Sequence, residues 1–287
     1  MAEQPGAAPI LAAYKGDAGA DVLAFAAAWS RASGRPLTVI TVYPSSAPIG
    51  MGRVDSEWVA YNREQAEILL SGARAILTGT DARYRAIAAD SASHGLSDAL
   101  ESAGYGALLV LGSHKTRGTR RTAPGSTAER VLQGAPGPVV IVPWAYEEFA
   151  ASSPKHVAVA FIDTADGRAA LSTARQLATE VGATLRLVSV LPDTRVQPSL
   201  GEPTSFASEQ RAQFTRSLED AARRIDATPL LLDGPVVDAL ADLRPEQVDL
   251  LVCGSRGYGP ARRVLLGGVS SRLLKAARVP VVVVPRG

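Results

Sequence analysis

"ALLVLGSHKTRGTRRTAPGSTAERVLQGAPGPVVIVP" at residues 107–143 and "DLLVCGSRGYGPARRVLLGGVSSRLLKAARVPVVVVP" at residues 249–285 decide the fold, because the second stretch lies on the first without a gap. Sixteen of the 37 positions are identical. A single self-match at a spacing of 142 residues marks a duplicated domain, since solenoid repeats are far shorter. Each copy runs from an apolar stretch through a loop and a short helical stretch to a valine-rich stretch, the order strand, loop, helix, strand.

Working outward, both halves carry the same series of elements. In the first, strands are expected at 10–14, 37–43, 84–89, 107–111 and 138–142, with helices at 20–33, 56–77, 95–103 and 126–133. In the second, strands are expected at 156–162, 184–190, 229–232, 249–253 and 280–284, with helices at 166–181, 207–225, 235–243 and 269–277. Strands alternating with helices predict an α/β fold: two tandem, open, twisted parallel sheets of five strands each, covered on both faces. The stretch "WAYEEFAASSPK", edged by Pro143 and Pro154, reads as a linker, which sets the domains at 1–148 and 149–287. The unbroken valine character of 139–142 and 281–284 suits pairing of these strands across the domain interface, making a pseudo-dimer. Long loops after Pro44 and Pro192 are expected either as lids or as plain surface connections.

Composition narrows the function. With 46% hydrophobic and 20% charged residues the chain can bury a substantial core. A formal net charge of +2 gives no basic field for nucleic acid or an anionic membrane, so small molecules and protein surfaces are the expected partners. Arg117, Arg120 and Arg121 accordingly read as a solvated loop. Cys253 is the single cysteine and lies in "LLVCG", a buried thiol in a strand with no disulfide or multi-cysteine metal site available to it. His94, His114 and His156 lack ligand spacing. The N-terminal residues carry no secretory pattern and no stretch reaches membrane-span length, so a cytoplasmic location is expected.

The chemistry concentrates in "GSRGYGPARRVLLGGVSSRLL". Gly254, Gly257, Gly267 and Gly268 sit between a buried strand and a helix, where backbone N–H groups without a Cβ in the way can converge on one anion. The helix start near Val269 and Ser270 favours negative charge, and Arg256, Arg262 and Arg263 can neutralise more of it. Glycines in such places also serve to let helix and sheet pack closely, and that reading stays open.

Gly254, two residues, Gly257, nine residues, then Gly267 resembles the Gly-x2-Gly-x9-Gly-Ser/Thr signature of ATP-binding universal stress proteins, and "VPVVVVP" resembles their closing strand. The resemblance extends over both halves and implies a tandem member of that family with Rossmann-like, HUP-type domains. It further implies that the loop holds the phosphates of ATP or another adenine nucleotide, with Mg2+ accompanying them. By the same resemblance Asp163 would bind the ribose hydroxyls, because a carboxylate accepts hydrogen bonds from two hydroxyls, and Val190 would contact adenine through its main chain. The chain departs from the signature at Gly268, which replaces the Ser or Thr; Ser270 on the same helix start is a candidate substitute.

The first half departs further. Gly112, Gly125 and Ser126 keep the outer parts of the signature, and Val42 stands at the position of Val190. Lys115, however, occupies the second glycine position and Lys15 the place expected for the first-strand acid. A lysine at 115 projects into phosphate space and Lys15 cannot accept from ribose, so this half reads as a degenerate site. No G-x-S-x-G elbow, H-E-x-x-H pair or Walker motif is present, and nothing proposes a catalytic nucleophile. Three readings follow: a nucleotide-binding regulator, with a homodimer or an unidentified protein as its partner; a tandem scaffold that binds no nucleotide; and a slow ATPase.

Overall fold

The computed structural model describes residues 7–16, 19–46, 55–114, 120–150, 153–161, 164–191, 204–255 and 267–285. The first half comprises β1 (Ile10–Ala13), α1 (Ala20–Ser33), β2 (Leu37–Pro44), α2 (Asp55–Ile76), β3 (Ala82–Ala89), α3 (Ala92–Ala103), β4 (Leu108–Gly112), α4 (Ser126–Leu132) and β5 (Val139–Val142). The second repeats the order as β6 (His156–Ala160), α5 (Ala165–Val181), β7 (Thr184–Leu191), α6 (Thr204–Arg224), β8 (Thr228–Asp233), α7 (Val236–Ala241), β9 (Leu250–Gly254), α8 (Gly268–Leu273) and β10 (Val281–Val284). Local chemistry explains the limits. The alanine-rich α1 stops at Gly34, whose φ of 70° only glycine adopts cheaply and whose N–H donates to the Ser30 carbonyl. Thr164 caps α5 by accepting from the Gly167 N–H, and Gly182 ends it in the left-handed region.

The strands form one sheet in the order β3-β2-β1-β4-β5-β10-β9-β6-β7-β8. Every pairing is parallel except β5 with β10, which is antiparallel with Val282 opposite Val140. The expected pairing of the valine strands across the halves is therefore the central seam of the molecule. Alternate residues of the seam feed two cores. Val140, Val142, Val282 and Val284 join the core under α1 and α5, with Phe25, Trp29, Leu70, Leu177 and Leu218. Val139, Ile141, Val281 and Val283 join the core under α3, α4, α7 and α8, with Leu100, Leu132, Leu240 and Leu273. Both cores run through both halves, so hydrophobic burial joins the halves as well as building each one.

Polar contacts reinforce the seam. Arg35, 4% exposed, forks onto Glu180 of α5 at 2.7 and 2.9 Å and donates to the Gly106 carbonyl at 2.8 Å. The stretch 143–154 is more than a linker: it opens with a 3-10 turn at Tyr146–Glu148 whose tyrosine is buried edge-on against Phe25 and Phe149. The buried Asp21 holds that turn by accepting from the Ala145 and Glu147 N–H groups, both at 2.9 Å. Burial raises the Asp21 pKa above its usual 3.8, against the opposing pull of these amides.

Arg121 also departs from the solvated-loop reading. Its guanidinium donates to the Ala276 carbonyl and pairs with Asp242 at 2.8 Å, both in the second half. Next to it the fully buried Thr122 exchanges two hydrogen bonds with Ala277. Residues 120–124 thus form a strap from the first half across the end of α8. Arg120 pairs with Glu148 in the exposed manner expected of it, and Arg117 lies outside the described residues. No described helix is long and apolar enough to cross a membrane.

Candidate functional site

Strand order reverses where β9 and β6 lie side by side, and in open parallel sheets ligands bind outside the carboxyl ends of strands at such a point. A cavity of about 300 Å3 opens there, between the ends of β6, β7 and β9 and the starts of α5 and α8. Val190, Val236, Leu240 and Leu273 give it an apolar wall, and Thr164, Ser189, Asp166 and Ser270 supply polar groups. Such a mixture suits a flat, largely apolar ring with a few polar attachments.

Gly254 ends β9 at the cavity, and its lack of a side chain is a packing requirement. A Cβ there would lie 2.7 Å from the Asp166 carbonyl oxygen, in the first turn of α5. Gly267 precedes α8 in an extended conformation, φ −72° and ψ 162°, with no side chain capping the helix. Gly268 is exposed, and a Cβ on it would meet open space. Val269 lines the cavity half-buried.

Ser270 departs from its suggested role as the missing phosphate hydroxyl. It is buried, and its Oγ donates to the Gly254 carbonyl at 3.0 Å, tying α8 to the end of β9. The same hydroxyl touches the Cys253 thiol, whose pKa burial pushes up to about 12 despite that contact. Cys253 is thus the buried strand thiol expected, and it also forms part of the cavity wall. Asp163, Arg256 and Gly257, like Lys115, Arg262 and Arg263, lie outside the described residues, as does most of both long loops.

The first half shows why its own loop differs. His114 N–H donates to the Ala123 carbonyl, Ala123 N–H to the Ser113 hydroxyl, and that hydroxyl to the Val142 carbonyl. The strap thus engages the His114 and Ala123 backbone N–H groups in bonds within the first half. Gly112 and Gly125 frame it, Ser126 starts α4, and Val42 lies half-buried near the end of β2. Strand register also corrects the place of Lys15. Ile10 pairs with Leu108 as Val157 pairs with Leu250, so counting forward sets Gly16, and not Lys15, at the position of Asp163. The acid is absent from that position either way.

Asp166 escaped the sequence reading. Both α1 and α5 begin with Ala-Asp, and that repeated pair is the available signal. Asp166 itself is buried in the wall of the cavity, where its backbone packs against Gly254. Among the described residues no group of three or more His, Cys, Asp or Glu side chains gathers to hold a metal ion.

A profile of the Universal stress protein family matches this sequence twice, at residues 7–143 and 154–285. Universal stress protein Rv2319c of Mycobacterium tuberculosis is 25% identical over 284 residues, spanning 94% of this chain and 97% of its own. A shorter match of 77 residues, at 36% identity, links 27% of this chain to Universal stress protein Rv1996 of the same organism, of which it covers 24%. Among solved structures, a universal stress protein from Archaeoglobus fulgidus superposes with a TM-score of 0.66 at 19% identity, covering 98% of this chain and 99% of that one.

Proposed function

This chain belongs to the universal stress protein family, and from that premise we propose that its C-terminal half binds one adenine nucleotide and works as a regulatory protein of the stress response, without catalysing a reaction. The observation that carries the reading is the cavity of about 300 Å3 at the β6/β9 crossover, on the scale of a nucleoside. Val190, Val236, Leu240 and Leu273 would enclose the base, and Asp163, by resemblance, would hold the ribose. Gly254, Arg256, Gly257, Gly267 and Gly268 would surround the phosphates, with Mg2+ neutralising part of their charge.

Binding to the folded state raises apparent stability by mass action, so the melting temperature of the full chain with ATP, ADP or AMP is the direct test. A ligand at 100 times its Kd adds about 2.7 kcal/mol, a shift of several degrees. Gly257→Lys, which imports the first half's residue, should abolish the shift. No shift with any of the three nucleotides at millimolar concentration overturns the proposal. Phosphate release from ATP above the Gly257→Lys background would overturn its non-catalytic part.

A further inference from the structure

One side of the second-half cavity is built from two short helices, with Val236 and Leu240 supplied by α7 and Val269, Ser270 and Leu273 by α8. Each helix has six residues, and no side chain caps the start of either. Helices this short take their stability and their position from tertiary contacts. They pack on each other, and Ser270 ties the start of α8 to the Gly254 carbonyl.

Their far ends are fastened by the first half. One nitrogen of the Arg121 guanidinium donates to the carbonyl of Ala276, shortly after the cavity residue Leu273. Another donates at 2.8 Å to Asp242, which directly follows α7 and stands two residues after the cavity residue Leu240. A single side chain thus joins the ends of both helices. Thr122 secures Ala277 by its two hydrogen bonds, and Lys275 reaches Glu129 of α4 at 3.3 Å. The strap is itself anchored, since Ser113 bridges Pro124 and accepts from the Ala123 N–H at 2.8 Å. The duplication shows that this clamp runs one way. In the gapless match Val264 stands where Thr122 does, without a hydroxyl, and Pro136 stands where Arg278 does, without an N–H or a guanidinium. Arg278 uses both of those groups, on the Ala241 carbonyl and on Asp242.

We propose that the first half is a positioning element for the cavity of the second: Arg121, through Asp242 and Ala276, holds α7 and α8 at the spacing that a bound nucleotide needs. This role rests on the nucleotide reading of the cavity. Its physical content is preorganisation. Walls fixed in advance need not be ordered on binding, so loosening them lowers affinity although Arg121 touches no ligand. The half whose own signature is degenerate thereby takes part in ligand binding.

Three full-length variants test the role, each titrated by calorimetry with the tightest-binding of ATP, ADP and AMP at a temperature where all are folded. Arg121→Ala should weaken binding roughly threefold to thirtyfold. Arg120→Ala removes the same charge from the adjacent residue, which pairs with Glu148, and should bind as wild type does. Arg35→Ala breaks the buried pair with Glu180, at the end of α5 remote from the cavity, and should lower the melting temperature without changing affinity. Hydrogen exchange of the ligand-free protein reads the mechanism itself: Arg121→Ala should speed exchange in α7 and α8 roughly fivefold or more and leave α1 unchanged. A wild type that binds none of the three nucleotides overturns the nucleotide reading and this role with it. Binding by wild type with equal affinity in Arg121→Ala, an equal loss in Arg120→Ala or Arg35→Ala, or unchanged exchange in α7 and α8 overturns the positioning role alone.

Discussion

A methyl group on Gly254 would land 2.7 Å from the Asp166 carbonyl oxygen and 2.9 Å from its Cβ, so backbone, and not a pliable side chain, must give way. Gly254→Ala should cost about 1–3 kcal/mol of stability, the usual range for overpacking, read as a lower denaturant midpoint with an unchanged slope. Gly268→Ala at the other end of the loop should cost little, because its Cβ meets nothing. Cys253 gives a pH signature. Its thiol titrates near 9.0 when unfolded and about 12 when folded, so the native state holds the proton more tightly between those values. Stability from this group is complete below pH 9 and is lost as pH rises toward 12. Cys253→Ala should flatten that part of the profile, measured as the difference from wild type below and within the window. At this scale the sequence announced the glycines by their spacing but not their separate duties. Gly254 is a packing glycine, Ser270 is committed to a carbonyl, and Lys15 stands one residue short of the acid position, all of which depend on register and burial that a linear pattern does not contain.

The strap shows how far local patterns carry at the scale of elements. Strands and most helices emerged within a few residues of their expected places, since β-branched runs and alanine-rich apolar faces express local preference and burial together. The docking of 120–124 onto the end of α8 did not, because Arg121 and Thr122 reach Ala276 and Ala277, each 155 positions away. Nor did the burial of Tyr146, which two glutamates, Glu147 and Glu148, follow directly. Thr122→Val preserves shape and removes the hydroxyl that the Ala277 N–H reaches at 3.0 Å, while that N–H keeps the Leu273 carbonyl as its second acceptor. The expected loss is about 0.5–1.5 kcal/mol, seen in equilibrium unfolding. At the start of α8, Gly268→Ser restores the hydroxyl of the family signature in open space. It should leave the melting temperature without ligand unchanged and tighten ATP binding roughly tenfold by titration calorimetry, the worth of one hydrogen bond to a charged group.

For the molecule as a whole, the two cores and the central seam predict one cooperative unit. Calorimetry of the full chain should give a single unfolding transition whose calorimetric and van't Hoff enthalpies agree. Residues 1–148 or 149–287 expressed alone should aggregate or self-pair, because each would expose a valine edge and the cut faces of both cores. The pairing of the two valine strands was legible in advance because residues buried on both faces leave an edge that needs a neighbour.

That seam also sets an order of events during synthesis. β5 leaves the ribosome about 140 residues before β10, so at roughly 5–20 residues per second its valine edge waits on the order of ten seconds for the strand that covers it. Throughout that interval the nascent first half carries a bare, four-residue apolar template at its margin. Nascent chains on neighbouring ribosomes of one message would present the same template to one another. Chaperone capture of the half-made polypeptide, released when β10 arrives, is the expected cost of placing the closing strand so late in the chain.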